Sequence, residues 1–104
     1  MALTREYRET VINRLQRDKE FTAALFAEAI SALVEGEKET TLSIFRDLVH
    51  AHITFKELSE QTGFDQKALH RMLSIKGNPT MKNLVLLIRV IEKNLQLSLE
   101  VTAK

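Results

Sequence analysis

Five polar residues of one short segment have side chains suited to contacting a nucleic acid. They are Gln66, Lys67, His70, Arg71 and Ser74, within Asp65-Gln66-Lys67-Ala68-Leu69-His70-Arg71-Met72-Leu73-Ser74. Wound as a helix at about 100° per residue, the five fall within an arc of about 140°. Ala68, Leu69, Met72 and Leu73 fall on the opposite side, and no acid interrupts the polar face after Asp65. A DNA major groove admits one α-helix and shows a distinct donor and acceptor pattern for each base pair. Arg71 suits guanine O6 and N7, Gln66 suits adenine N6 and N7 or a phosphate, and Lys67 suits guanine or phosphate. His70 and Ser74 are minor candidates.

Such a face works only if its helix is held at a fixed angle to a second one. The preceding Ile53-Thr54-Phe55-Lys56-Glu57-Leu58 has the form of a helix start. Thr54 and Glu57 match the capping box, with Ile53 and Leu58 as its hydrophobic staple. That helix is expected to end at Thr62. Gly63 can then take the left-handed conformation that other residues adopt only at a cost. Asp65 is an N-cap for the next helix, with Phe64 and Leu69 as a second staple. Ser59 is small where the two helices must approach, and Leu58, Leu69 and Met72 supply apolar contacts. The pattern predicts a helix-turn-helix. Its helix starts, at Thr54-Phe55 and Asp65-Gln66, and its flanking Lys56 and Lys76 are phosphate candidates.

The remaining elements are also predicted as helices. Tyr7, Val11 and Leu15 share one face of a first helix. Asp18 caps a second, which carries Phe21, Leu25, Phe26, Ile30 and Leu33 and ends at Gly36. A third, from about Thr40 to near His52, carries Leu42, Phe45, Leu48 and Val49. The helix after Asp65 is expected to run through Ser74 and to end at Gly77. Asn78 is the expected cap of the last helix, Pro79 to about Lys93, with Pro79 at its first position. The apolar residues of this last helix cover roughly 260° of its circumference, where one core contact needs only about 100°. Either it is buried within one chain, or Leu86 and Val90 form a second interface, most simply a two-fold dimer. Leu95-Gln96-Leu97-Ser98-Leu99-Glu100-Val101 alternates as a half-buried strand does, and a lone strand needs a partner. Leu97 and Leu99 are therefore assigned to the same dimer contact. The expected fold is all-α, a compact bundle of five to six helices containing a helix-turn-helix, with a short C-terminal strand paired in a homodimer.

The 104 residues make one ordinary domain, 1–104. It divides into N-terminal helices (1–53), the helix-turn-helix with its following helix (54–93) and the strand (95–101). Net charge is only +1, but its distribution is uneven. Residues 1–53 hold seven Lys/Arg against nine Asp/Glu, and residues 54–82 hold five against three. Cysteine is absent, which excludes disulfides and thiol chemistry. Arg5, Glu6, Arg8 and Glu9 near the start do not form a signal peptide, and the longest apolar run, 84–88, is far too short to span a membrane. A cytoplasmic location is expected.

The segment 55–73, followed by Gly77-Asn78-Pro79-Thr80, a Leu-rich helix and Leu97-Ser98-Leu99-Glu100-Val101, resembles the phage-repressor-like (Xre-type) helix-turn-helix family. It looks like the bacterial addiction-module antidote (antitoxin) proteins and the small transcriptional regulators related to them. The resemblance covers nearly the whole chain and is strongest over 42–101. It implies a repressor that binds its own operator and neutralises a small toxin encoded beside it, often an mRNA-cleaving endoribonuclease. It also matches Gln66, Lys67, His70 and Arg71 to recognition-helix positions. Ser59 stands where alanine is usual, and Asn94 where many relatives carry glycine. A stand-alone regulator and a protein-interaction module without operator specificity are the alternatives.

Other chemistries fare poorly. His50 and His52 with Asp47 suggest a metal site, but i and i+2 on a helix point about 200° apart. Tyr7, Ser31, Ser43, Ser74 and Ser98 show no nucleophile–base spacing, and no glycine-rich phosphate loop is present. No enzyme activity, metal or cofactor is expected.

Overall fold

A carboxylate makes the first corner of the chain. The computed structural model describes residues 5–104, so residues 1–4 of the expected single domain lie outside the described residues. Helix α1 (Arg5–Arg17) and helix α2 (Lys19–Val34) are separated by Asp18 alone. Asp18 Oδ1 accepts the Phe21 N–H at 3.0 Å, and its other oxygen pairs with Arg14 at 3.5 Å. The Arg14 guanidinium lies 4.0 Å over the Phe21 ring. The buried Thr22 hydroxyl donates to the Leu15 carbonyl at 2.8 Å, satisfying a helix-end acceptor. Gly36 ends α2 at φ 84. The N–H groups of Gly36 and Glu37 bond back to Leu33 and Ala32, the paired closure of a Schellman turn.

Helix α3 (Lys38–Leu48) begins two residues before the expected Thr40. Its N-cap, Glu37, makes no side-chain capping bond, so little in the sequence marks that boundary. Thr41, buried, donates to the Ala29 carbonyl at 3.0 Å and fastens α3 to α2. Phe26 and Phe45 meet with ring centroids 6.3 Å apart. Around them Leu15, Leu42, Leu48, Leu58, Leu69, Leu73, Leu87 and Ile91 form one fully buried core. The core draws on every helix, which makes the chain one packed unit with a radius of gyration of 13.1 Å.

The third helix ends near His52 as expected, but not as an α-helix. It continues as a π-helical turn, Val49–Ile53, whose last bond runs from the Thr54 N–H to the Val49 carbonyl at 2.8 Å. Helix α4 (Phe55–Thr62) follows at once. The capping box at its start is therefore only half formed. Thr54 Oγ1 accepts the Glu57 N–H at 3.2 Å, but the Thr54 N–H that Glu57 should receive is already taken by Val49. Thr54 lies at φ 76, ψ 150, a region almost reserved for glycine.

Helix α5 (Gln66–Met72) and helix α6 (Met81–Leu95) complete the fold. Two expected boundaries shift between them. Helix α5 stops at Met72 rather than Ser74, because a turn closed by the Gly77 N–H on the Ser74 carbonyl takes over. The cap of α6 is Thr80, not Asn78. Thr80 Oγ1 accepts the Asn83 N–H at 3.2 Å, leaving Pro79 just outside the helix. Pro79 has no N–H to satisfy in either place, so the sequence did not distinguish the two caps.

The C-terminal strand expected at 95–101 is not formed. Leu95 is the last residue of α6, and no strand occurs among the described residues. Gln96 adopts the left-handed conformation at φ 56 and closes a second Schellman turn, with Leu97 N–H bonded to the Glu92 carbonyl. That position, not Asn94, needs glycine-like freedom. Beyond it residues 97–104 form no regular element, since one chain offers the segment no partner strand. Leu97 packs on the core, and the Leu99 N–H donates to the Glu92 carboxylate at 2.9 Å. No helix among the described residues is long and apolar enough to cross a membrane.

The strain at Thr54 is testable. A residue in this backbone region costs about 1–3 kcal/mol. Glycine as an N-cap loses only a few tenths of a kcal/mol, and its greater freedom in the unfolded chain costs about 0.4–1 kcal/mol. Thr54→Gly is therefore expected to raise the unfolding free energy by about 1 kcal/mol, measured by urea titration.

Candidate nucleic-acid interface

The turn between α4 and α5 is built from three local bonds. Gly63 sits at φ 83, and its N–H returns to the Ser59 carbonyl at 2.9 Å. The Ser59 hydroxyl donates to the Phe64 carbonyl at 2.5 Å, and Thr62 Oγ1 accepts the Phe64 N–H at 3.2 Å. Ser59 thus does more than leave room, because its hydroxyl ties the turn. Asp65 then caps α5, accepting the Ala68 N–H at 2.7 Å.

Helix α5 divides as its sequence predicts. Leu69 and the following Leu73 are fully buried, and Ala68 and Met72 are half-buried. Gln66, Lys67, His70 and Arg71 are exposed. Among the described residues, no hydrogen bond or ion pair engages the side chains of Gln66, Lys67 or Arg71. Ser74 stands apart from this group. It lies past the helix end, half-buried, with its hydroxyl donating to the Arg71 carbonyl at 2.8 Å. Lys56, on the first turn of α4, and Lys76, in the turn after α5, are both exposed. At the α4 start, the Thr54 N–H is spent on Val49. The next N–H groups, of Phe55 and Lys56, have no intrahelical partner.

His70 has a structural duty that the sequence hid. Its ring stacks on Phe55 with centroids 3.9 Å apart and planes 14° apart. His50 meets the same Phe55 edge-on at 5.0 Å and 62°. One aromatic ring at the start of α4 thus touches the π turn before it and helix α5 after it. His50 and His52 accordingly face different neighbours, the latter lying 3.3 Å from Thr22 Oγ1.

A second brace was also missed. Arg46 of α3 donates from a terminal nitrogen to the Leu73 carbonyl at 2.8 Å, which satisfies the C-terminal end of α5. No short-range pattern reveals a pairing across 27 residues. Beside it, Asp47 is 5 % exposed and sits 3.7 Å from Arg8. Burial pushes the Asp47 carboxyl above the ordinary range, opposed by Arg8, Arg46 and His50. A third brace joins α4 to α6, where Gln61 and Asn94 exchange two amide hydrogen bonds at 2.8 and 3.2 Å.

The four residues assigned to a dimer contact come together. Leu86 and Val90 on α6 and Leu97 and Leu99 in the tail line one groove of 540 Å³, with Arg89, Glu92 and Lys93 along it.

Burial of the His50 ring lowers its pKa below the ordinary 6.5; Asp47 opposes the shift, while His70, Arg8 and Arg46 reinforce it. The folded state therefore resists a proton that the unfolded chain accepts. Stability is expected to fall as pH drops below about 6.5. His50→Gln is expected to flatten that part of the profile, measured by thermal melts between pH 7.5 and 5 in roughly half-unit steps.

Compared with protein-family profiles, with characterised proteins and with solved structures, the chain matches none.

Proposed function

We propose that the chain is a sequence-specific DNA-binding repressor of the antidote type, with α4, the Gly63 turn and α5 as its reading head. The observation that carries this reading is the outer face of α5. Gln66, Lys67 and Arg71 are exposed and unengaged on a short helix whose other side is locked into the core. Arg71 reads guanine through two parallel bonds, and Gln66 and Lys67 read neighbouring bases or phosphate. Lys56 and Lys76 bind phosphate, which sets register without reading sequence. His70 acts from the flank, holding α5 against Phe55. The resemblance of residues 42–101 to antidote proteins supports the second role, neutralising a small toxin protein.

The protein acts as a homodimer. The groove of Leu86, Val90, Leu97 and Leu99 and the unpaired tail both suit a second copy, whose tail would supply the missing strand partner. Two reading helices then enter successive major grooves about 34 Å apart on a near-palindromic operator.

The test begins with an operator selected from random duplex DNA. Arg71→Ala is expected to cost about 1–3 kcal/mol and to relax preference at one base pair in each half-site. Lys56→Ala is expected to weaken all sequences alike and to reduce the salt slope by about one. Unchanged binding by an Arg71→Ala, Lys67→Ala double variant would refute the reading head.

A further inference from the structure

Several large apolar side chains stand in water away from α5. Val34 and Met81 are each 82 % exposed, and Val101 is 89 % exposed. Two hollows lie near them. The first is a 220 Å³ cavity walled mainly by Leu33, Leu42, Pro79 and Leu84, and its only charged lining residue is Lys38. Met81 precedes Leu84 by one helical turn on α6. The second hollow, of 370 Å³, lies between α2 and the tail and is bordered by Val34, Leu99 and Val101. The two adjoin at Val34–Gly36, where the chain leaves α2.

The charged groups around these hollows are mostly of one sign. Glu35 and Glu100 line the second hollow, and Glu37 and Glu39 line a third beside it. Lys38 is the one cation lining any of the three. None of the four carboxylates takes part in an ion pair among the described residues. The apolar pocket shares Gly36 and Lys38 with the hollow that Glu37 and Glu39 line, and such a pocket beside unpaired carboxylates complements a large apolar side chain flanked by lysine or arginine. A cavity of about 150 Å³ takes a benzene ring, so 220 Å³ has room for a phenylalanine or leucine anchor.

We infer that the α2–α3 corner and the start of α6 form the docking surface for a basic protein. Its apolar anchor seats between Leu33, Leu42, Pro79 and Leu84, and its cations lie against Glu35, Glu37 and Glu39. A second copy is a poor occupant of this corner, because a two-fold contact would set like carboxylates against each other. Nucleic acid is repelled by the same three charges. None of Gln66, Lys67, His70 or Arg71 lines these hollows, so this surface and the reading face can be occupied together. The inference rests on the antidote reading for the partner's identity and adds the surface that receives it.

The test uses the full-length chain and the small basic protein encoded beside it, with affinity measured by calorimetry at two salt concentrations. Val34→Gln with Met81→Gln removes apolar contact at exposed positions, and Glu35→Lys with Glu37→Lys reverses two unpaired charges. Each double variant is expected to weaken binding roughly tenfold or more, with thermal melts and operator binding unchanged. The charge variant is also expected to lose most of the salt dependence. Wild-type affinity in both variants overturns the surface and leaves the antidote reading standing. If the wild-type chain does not bind the neighbouring protein, the antidote reading fails on its own. The surface is then judged with a synthetic amphipathic peptide of leucine, phenylalanine and lysine. Amide shifts centred on 33–42 and 79–85 that vanish in both variants support it, and shifts centred elsewhere overturn it. Conversion of a wild-type dimer to monomers by either variant shows that copies of the chain meet there, which also overturns it.

Discussion

The orientation of α5 depends on the ring of Phe55. A seven-residue helix is far too short to hold itself together in water, so its stability and angle come from what it packs against. Leu69 and Leu73 anchor its inner side in the core, but two buried leucines leave rotation about the helix axis loosely defined. The face-to-face contact of Phe55 with His70 removes that freedom from one flank. Arg46 removes it at the far end by holding the Leu73 carbonyl. The outward direction of Gln66, Lys67 and Arg71 follows from these contacts together.

Phe55 is in turn placed by an unusual piece of backbone. The π turn folds one more residue into its last ring than an α-helix would, and Thr54 then reverses the chain at positive φ. A β-branched residue there is strained, and the surrounding contacts must over-determine the conformation for it to persist. Several do so. Ile53 and Leu58 are buried on either side, Thr54 Oγ1 caps α4, and His50 and His70 meet Phe55 from both halves of the chain. Through Arg46 and His50 the N-terminal half of the chain is part of what sets the angle between α4 and α5.

Much of this was legible in the sequence, and the reasons are local. Asp18, Gly36, Gly63 and Asp65 act where residue chemistry places them, because a cap or a left-handed turn is decided within four residues. The inner and outer sides of α5 follow from helical periodicity alone. The misses share a different cause. Asn78 and Thr80 are both competent caps, and only packing chooses between them. The alternating 95–101 segment has a strand's pattern but lacks a strand's partner. Gln96 takes a glycine-like conformation because the helix end requires it, not because its residue type favours it. His70 on Phe55 and Arg46 on Leu73 join residues 15 and 27 positions apart in the chain, beyond the reach of any local pattern.

Gly77 adds a constraint of another kind. A Cβ at this buried position would collide with the backbone oxygens of Met72 and Arg71, and backbone cannot swing aside as a flexible side chain can. The turn from α5 to α6 therefore passes as close to the end of α5 as a chain without a side chain allows. Exchange of residues on the exposed face of α5 alters what the helix meets while leaving its setting intact. Any exchange at position 77 forces the backbone at the end of α5 or the turn itself to shift, so this glycine records the spacing of the turn independently of the side chains on the exposed face of α5.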